Sequence, residues 1–233
     1  MSARLMAAVP ALLDGSWRQA MREPPPPPPT FDSAMFDIES MSLHPGAALV
    51  LSLGVLPYRL TLEGPVMGPG LIVVFNDLAM QLVNCRRVDL DTQKFWSRQP
   101  RAAHAHFTDP NYQPPEGVTL LRTSLAELGP HLAAFLDQHC TPDREILSQG
   151  IGFDVPNLAG AMKDAGCEPP WRYDRVVDAR SLRRKLPKRR IAPKLSLPAA
   201  AHDPVHDDIK QIWGVWEVAT DDMLGVAPLK AVA

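Results

Sequence analysis

A chain of 233 residues, 45% of them hydrophobic and 21% charged, is long enough to bury one sizeable core. Its net charge of -2 excludes a molecule that is basic throughout, and its longest apolar runs, ALVLSLGVL and LIVVF, are too short to span a bilayer. Three widely spaced cysteines, Cys85, Cys140 and Cys167, give no zinc pattern and fit reduced thiols in a cytoplasm.

The first segment, MSARLMAAVPALLDGSW, is weakly apolar but soon meets an acid and a tryptophan, so it reads as an extension and not a signal peptide. Pro24 to Pro29 form a stiff polyproline II stretch that cannot join a helix or an inner strand. It reads as a spacer, with an SH3-like partner as the alternative, and residues 1–30 are expected to stand outside the domain. The domain is expected over 31–220, with a tail at 221–233.

AMFDIES predicts a first strand, and AALVLSLGVLPY a second that is buried on both faces. LTLEGPVMGPG is a turn-rich interruption. LIVVFND predicts a third strand, and AMQLVNCRRVD a candidate fourth. LDTQKFWSRQPRAAHAHF changes to helical spacing, with Asp91 or Thr92 as N-cap. FTDPNYQPPEG is a loop, and SLAELGPHLAAFLDQHC is an amphipathic helix opened by a Ser124/Glu127 capping box. EILSQG is a short strand, DVPNLAGAMKDAGC a helix from Asp154 to near Gly166, and RVVDAR a short strand or edge. A proline-punctuated loop leads to a last helix in HDPVHDDIKQIWGVWEVATDDML. Strands first, then alternating helices and strands, predict an α/β domain with a mixed sheet.

Charge is unevenly distributed. From Arg172 to Lys194 there are ten basic residues against two acidic ones, Asp174 and Asp178. Such a segment can meet a phosphate backbone, or be a solvated loop. FDIES raises the opposite question. Asp37 and Glu39 are two apart on a strand, so both leave the same face of the pleat. Adjacent carboxylates repel unless one reaches solvent or a divalent cation joins them. Asp154 stands at a strand-to-helix junction, where helix capping is the ordinary explanation. His202 precedes the last helix, and Asp207 follows five residues on. A zinc-protease reading of His202 and His206 fails because Pro204 lies between them and Asp203 replaces the glutamate. Asp203 and Asp208 are expected to be solvated, and His206 to be a surface or packing residue.

The ordered set Asp37, Glu39, Asp154, His202 and Asp207 resembles the DEDDh 3′–5′ exonuclease superfamily. DTQKFWSRQPRAAH, FDVPNL, VVDARSL and HDPVHDDIKQI are similar to segments of its branch of phage-type exonuclease A and mycobacterial-type exoribonuclease domains. The likeness runs from about Phe31 to Val218. It departs at Pro204, where many members carry a small residue, at His206, where many carry Asp, and in the LEGPVMGPG insertion.

The resemblance implies an RNase H-like mixed β-sheet flanked by α-helices in a single domain. It implies hydrolysis from a 3′ end by a two-metal mechanism, releasing nucleoside 5′-monophosphates. Asp37, Glu39, Asp154 and Asp207 would hold two Mg2+ or Mn2+ ions, and His202 would take the proton of the attacking water. Ser40 and Met41 would lie near the 3′ end, with Phe153, Trp96, Gln99 and Arg180 as further contacts. For Trp96, base stacking and core packing are equal readings. The expected partner is nucleic acid with a free 3′ end. The phage-type likeness favours DNA, with a 3′–5′ exoribonuclease of the same fold as the alternative, and suggests action in a host cytoplasm. A non-catalytic nucleic-acid-binding module is the alternative from another class, and the set of four acids beside a phosphate site argues against it.

Overall fold

A computed structural model describes residues 30–150, 152–183 and 202–223. The proline run and the basic stretch from residue 184 lie outside the described residues.

Seven strands form one mixed sheet: β1 (Phe31–Ser40), β2 (Val50–Leu60), β3 (Pro65–Met67), β4 (Gly70–Phe75), β5 (Val118–Thr123), β6 (Cys140–Ser148) and β7 (Val176–Asp178). The order is β5-β4-β2-β1-β6-β7, with β3 also paired to β2. β1 runs antiparallel to β2 and parallel to β6, and β6 runs parallel to β7. This is the RNase H-like α/β architecture. The helices are α1 (Leu78–Val83), α2 (Leu90–Arg98), α3 (Arg101–Thr108), α4 (Leu125–His139), α5 (Asp154–Asp164), α6 (Ala179–Arg183) and α7 (Pro204–Met223).

The alternation in β1 decides which helix meets which face. Ala34, Phe36 and Ile38 enter a core with Leu128, Leu132 and Leu136 of α4 and Leu158 and Met162 of α5. Met35 enters a second core with Val205, Ile212 and Val215 of α7. Asp37 and Glu39 therefore share the α7 face, while Phe36 and Ile38 anchor the other. Phe36 is fully buried, and its truncation to Ala would cost about 3–5 kcal/mol.

Several expected elements take a different form. AMQLVN is helix α1, not a fourth strand. The Gln81 side chain, 2% exposed, accepts from the Val50 N–H and donates to its C=O, both at 2.9 Å, supplying what a neighbouring strand would give. VTLLRT forms an edge strand, β5, where the pattern predicts none, and it pairs parallel with β4. The long helical run is two helices. Pro100 pushes Gln99 to an extended ψ of 148°, which ends α2, and the N-cap position of α2 is Asp89. At α4 the expected capping box does not form: Ser124 makes no side-chain bond to the helix N-terminus, its hydroxyl donates to the Glu127 carboxylate, and the Leu125 N–H goes to Asp77. The LEGPVMGPG insertion forms β3, and its turn is fixed by the Trp216 indole donating to the Thr61 carbonyl at 2.7 Å.

Candidate active site

Three chain segments deliver acids to one edge of the sheet. β1 carries Asp37 and Glu39. β6 runs parallel to β1, so the chain leaving it turns at that same edge and starts α5 with Asp154. Gly150, at φ 142°, makes that turn in a region that side chains disfavour. The third segment is α7, and its approach depends on Gly54, which stands opposite Asp37 in the β1–β2 register. A Cβ on Gly54 would lie 2.7 Å from Cβ of Pro204, so the first turn of α7 rests on bare backbone. Pro204 itself is the first helical residue, where its missing N–H costs nothing. The sequence departure at this position is thus a helix start.

Asp203 and Asp208 are not solvated. Asp203 is 5% exposed, accepts the His206 N–H at 3.1 Å as a helix cap, and accepts the Tyr112 hydroxyl at 2.9 Å. Asp208 is fully buried, and neither of its carboxylate oxygens has a hydrogen-bond partner among the described residues. The helix periodicity that turns Asp207 toward the acids turns Asp208 into the sheet-facing side of α7. His206 packs, at 7% exposed, outside the ligand cluster.

Asp207 lies one turn into α7. Its carboxylate accepts the His202 backbone N–H at 3.1 Å and the Lys210 ammonium at 2.8 Å. His202 has φ 67°, rare outside glycine, and its ring meets Phe95 and Trp96 edge-on at 5.2 and 5.7 Å. One ligand atom each from Glu39, His202 and Asp207 lie within 4.8 Å of one another. Asp37 accepts the Gln211 amide at 3.1 Å. Gln211, four residues beyond Asp207 on the same helix face, was missed in the sequence, where only that spacing signals it.

The electrostatics show how closely these groups crowd. Burial, then Asp207, raises Asp37 to about 7. Burial, then Asp37, raises Asp154 to about 8, with the Arg180 guanidinium opposing. Glu39 is driven up further by burial and by Asp37, Asp207, Asp154 and Asp203. A buried set of carboxylates that raise one another is short of positive charge. Its oxygen-rich donor set, with one imidazole, fits a hard divalent cation.

The other expected contacts are placed less directly. Trp96 is 8% exposed, and its indole donates to the Ser40 carbonyl at 2.9 Å. That makes it a support behind His202 rather than an open platform for a base. Phe95, 40% exposed, is the ring presented beside it. The Ser40 hydroxyl donates to the Ser42 carbonyl, and the backbone of Met41 bonds Leu49 and Asp89, so these groups are engaged internally. Gln99 folds back on the Phe95 carbonyl at 3.4 Å, and Phe153 packs against the core under α5. Arg180 donates to the Gln149 carbonyl at 3.0 Å beside Asp154.

A family model for the 3′–5′ exoribonuclease Rv2179c-like domain matches residues 32–219. The chain belongs to this family. No curated relative matches it. The Rv2179c-like assignment agrees with the mycobacterial-type half of the resemblance read in the sequence. It gives no support to the preference for DNA, because the family is described by an exoribonuclease. Among the described residues no helix is long and apolar enough to cross a membrane.

Proposed function

We propose that this Rv2179c-like protein is a divalent-metal-dependent 3′–5′ exoribonuclease. It would release nucleoside 5′-monophosphates from RNA, with Asp37, Glu39, Asp154, His202 and Asp207 as its catalytic set. The observation that supports this reading is the grouping of Glu39, His202 and Asp207 within ligand reach of one another, beside Asp37 and Asp154, buried acids that raise one another.

Asp37, Glu39, Asp154 and Asp207 would hold the cations, Mg2+ or Mn2+. When bound, the ions supply the positive charge that favours a hydroxide-like nucleophile and a departing 3′ oxygen. The protein's own groups do the rest. His202, fixed by its backbone bond to Asp207 and by two aromatic edges, accepts the proton of the attacking water. The water oxygen bonds to phosphorus as the bond from phosphorus to the 3′ oxygen breaks, and that oxygen gains a proton. Gln211 holds one Asp37 oxygen and so orients the other. Arg180, which already lowers the charge cost at Asp154, offers a cation to the phosphate. Three free thiols fit action in a reducing cytoplasm.

The test is a pair of 5′-labelled oligonucleotides, RNA and DNA, incubated with Mg2+, Mn2+ or chelator. The expected result is stepwise shortening of RNA from its 3′ end, faster than DNA, and only with metal. Asp37→Ala should abolish it while circular dichroism stays native. RNA left intact in both metals would overturn the reading, and faster loss of DNA would overturn its substrate.

A further inference from the structure

We propose that the Pro24–Pro29 run docks in cis into an aromatic-lined groove on the face of the sheet opposite the acids. The groove, about 610 Å3, lies between the outer stripe of α5 and the segment 168–176. Pro156, Pro169, Trp171 and Tyr173 give it its character. Trp171 is anchored by an edge-on contact with Phe36, centroids 5.5 Å apart. Tyr173 is 91% exposed and leaves its ring free. Polyproline II segments bind such surfaces because their shape is preformed and little entropy is lost on docking.

Reach and charge identify the occupant. The Thr30 N–H donates to the His139 carbonyl at 3.2 Å, which fixes the end of the run at the C-terminus of α4, on the groove's own face. Val176, which lines the groove, is level with Ala34 through Ile146, one strand beyond β6. Two strand spacings and three residues of rise place it about 14 Å from Phe31. Six prolines extend about 19 Å, so the N-terminal prolines of the run reach the groove. The groove's cations are balanced locally. Arg172 pairs with Asp174 at 2.6 Å, and Lys163 and Glu168 both line the site. A polyanion would meet those acids, whereas a neutral proline ridge does not.

Amide hydrogen exchange on the full chain tests this. Peptides covering 171–176 should exchange about tenfold more slowly than in a full-length variant whose Pro24–Pro29 are replaced by alternating Gly and Ser. Tyr173→Ala, in the otherwise natural chain, should erase that protection, and neither variant should lose nuclease activity. Equal exchange in the natural and Gly/Ser chains overturns the proposal. Protection that grows with protein concentration would assign the run to a second copy, and protection that requires added RNA would assign the groove to substrate. Either result also overturns docking in cis.

Discussion

Gln211 donates its side-chain amide to Asp37 at 3.1 Å, joining the last helix to the first strand. The bond is made to a carboxylate in a mostly buried site, where such bonds contribute about 1.5–3 kcal/mol. Gln211→Ala is expected to lower kcat/KM on RNA by about 10- to 100-fold, with metal in excess. Gln211→Glu should lose more, because it adds a charge to an already crowded set. Steady-state kinetics on a labelled RNA would check both, and an unchanged Gln211→Ala enzyme would remove Gln211 from the site.

Phe95 and Trp96 both touch the His202 ring, yet one is exposed and the other buried. Their variants should therefore separate in kinetics. Phe95→Ala is expected to raise KM, by up to the 1–3 kcal/mol that a base gains by stacking, roughly 5- to 150-fold. Trp96→Phe keeps a ring but loses the indole bond to Ser40, and should lower kcat while leaving KM within about threefold. A large rise in KM for Trp96→Phe would restore it as a base platform.

Without metal, the acids make stability depend on pH. Asp37 and Asp154 are raised to about 7 and about 8. Between about pH 4 and those values the folded state holds more protons than the unfolded chain, so stability falls as pH rises. His106, lowered to about 4 by burial, then by His104 and Arg122, acts in the opposite sense. There the unfolded chain binds more protons, and stability is lost as pH falls from about 6.5 to 4. Metal-free Tm should thus drop from pH 6.5 to 8.5 and recover on adding Mn2+. His106→Gln removes the opposing contribution, so stability should rise more steeply as pH falls from about 6.5 to 4. A metal-free Tm that does not change from pH 6.5 to 8.5 would contradict the carboxylate assignment.

Asp208 has no hydrogen-bond partner among the described residues, and burial followed by four neighbouring acids pushes it well above the usual carboxylate range. Asp208→Asn keeps the shape and removes the charge. It is expected to raise the metal-free Tm by about 2–4 °C, corresponding to about 1 kcal/mol in a domain of this size. RNA cleavage should stay within about threefold of the natural protein. A loss of 100-fold or more would put Asp208 among the groups that hold metal.

Local pattern carried most of the legible structure. The alternation of Phe36, Asp37, Ile38 and Glu39 was enough to place the acids on one face, and the HDPVHDD spacing separated Asp207 from its neighbours. What stayed hidden depends on contacts distant in sequence. Gln81 makes a strand-like segment helical by bonding Val50, 31 positions away. Trp96 is committed to the wall by Ser40, 56 positions away. Asp208 looks like any surface acid until the close approach of Pro204 to Gly54 shows which side of α7 faces the sheet. The VTLLRT edge strand has no clean alternation, because one of its faces is only half covered.

The order in which the chain supplies its acids sets a schedule for synthesis. Asp37 and Glu39 emerge first, Asp154 follows, and His202 and Asp207 come with the final helix. A polypeptide still under translation at residue 200 lacks the proposed proton acceptor and one of the four candidate carboxylates. It also lacks α7, the cover over Met35 and Tyr58. The candidate site is thereby incomplete until synthesis has passed Asp207.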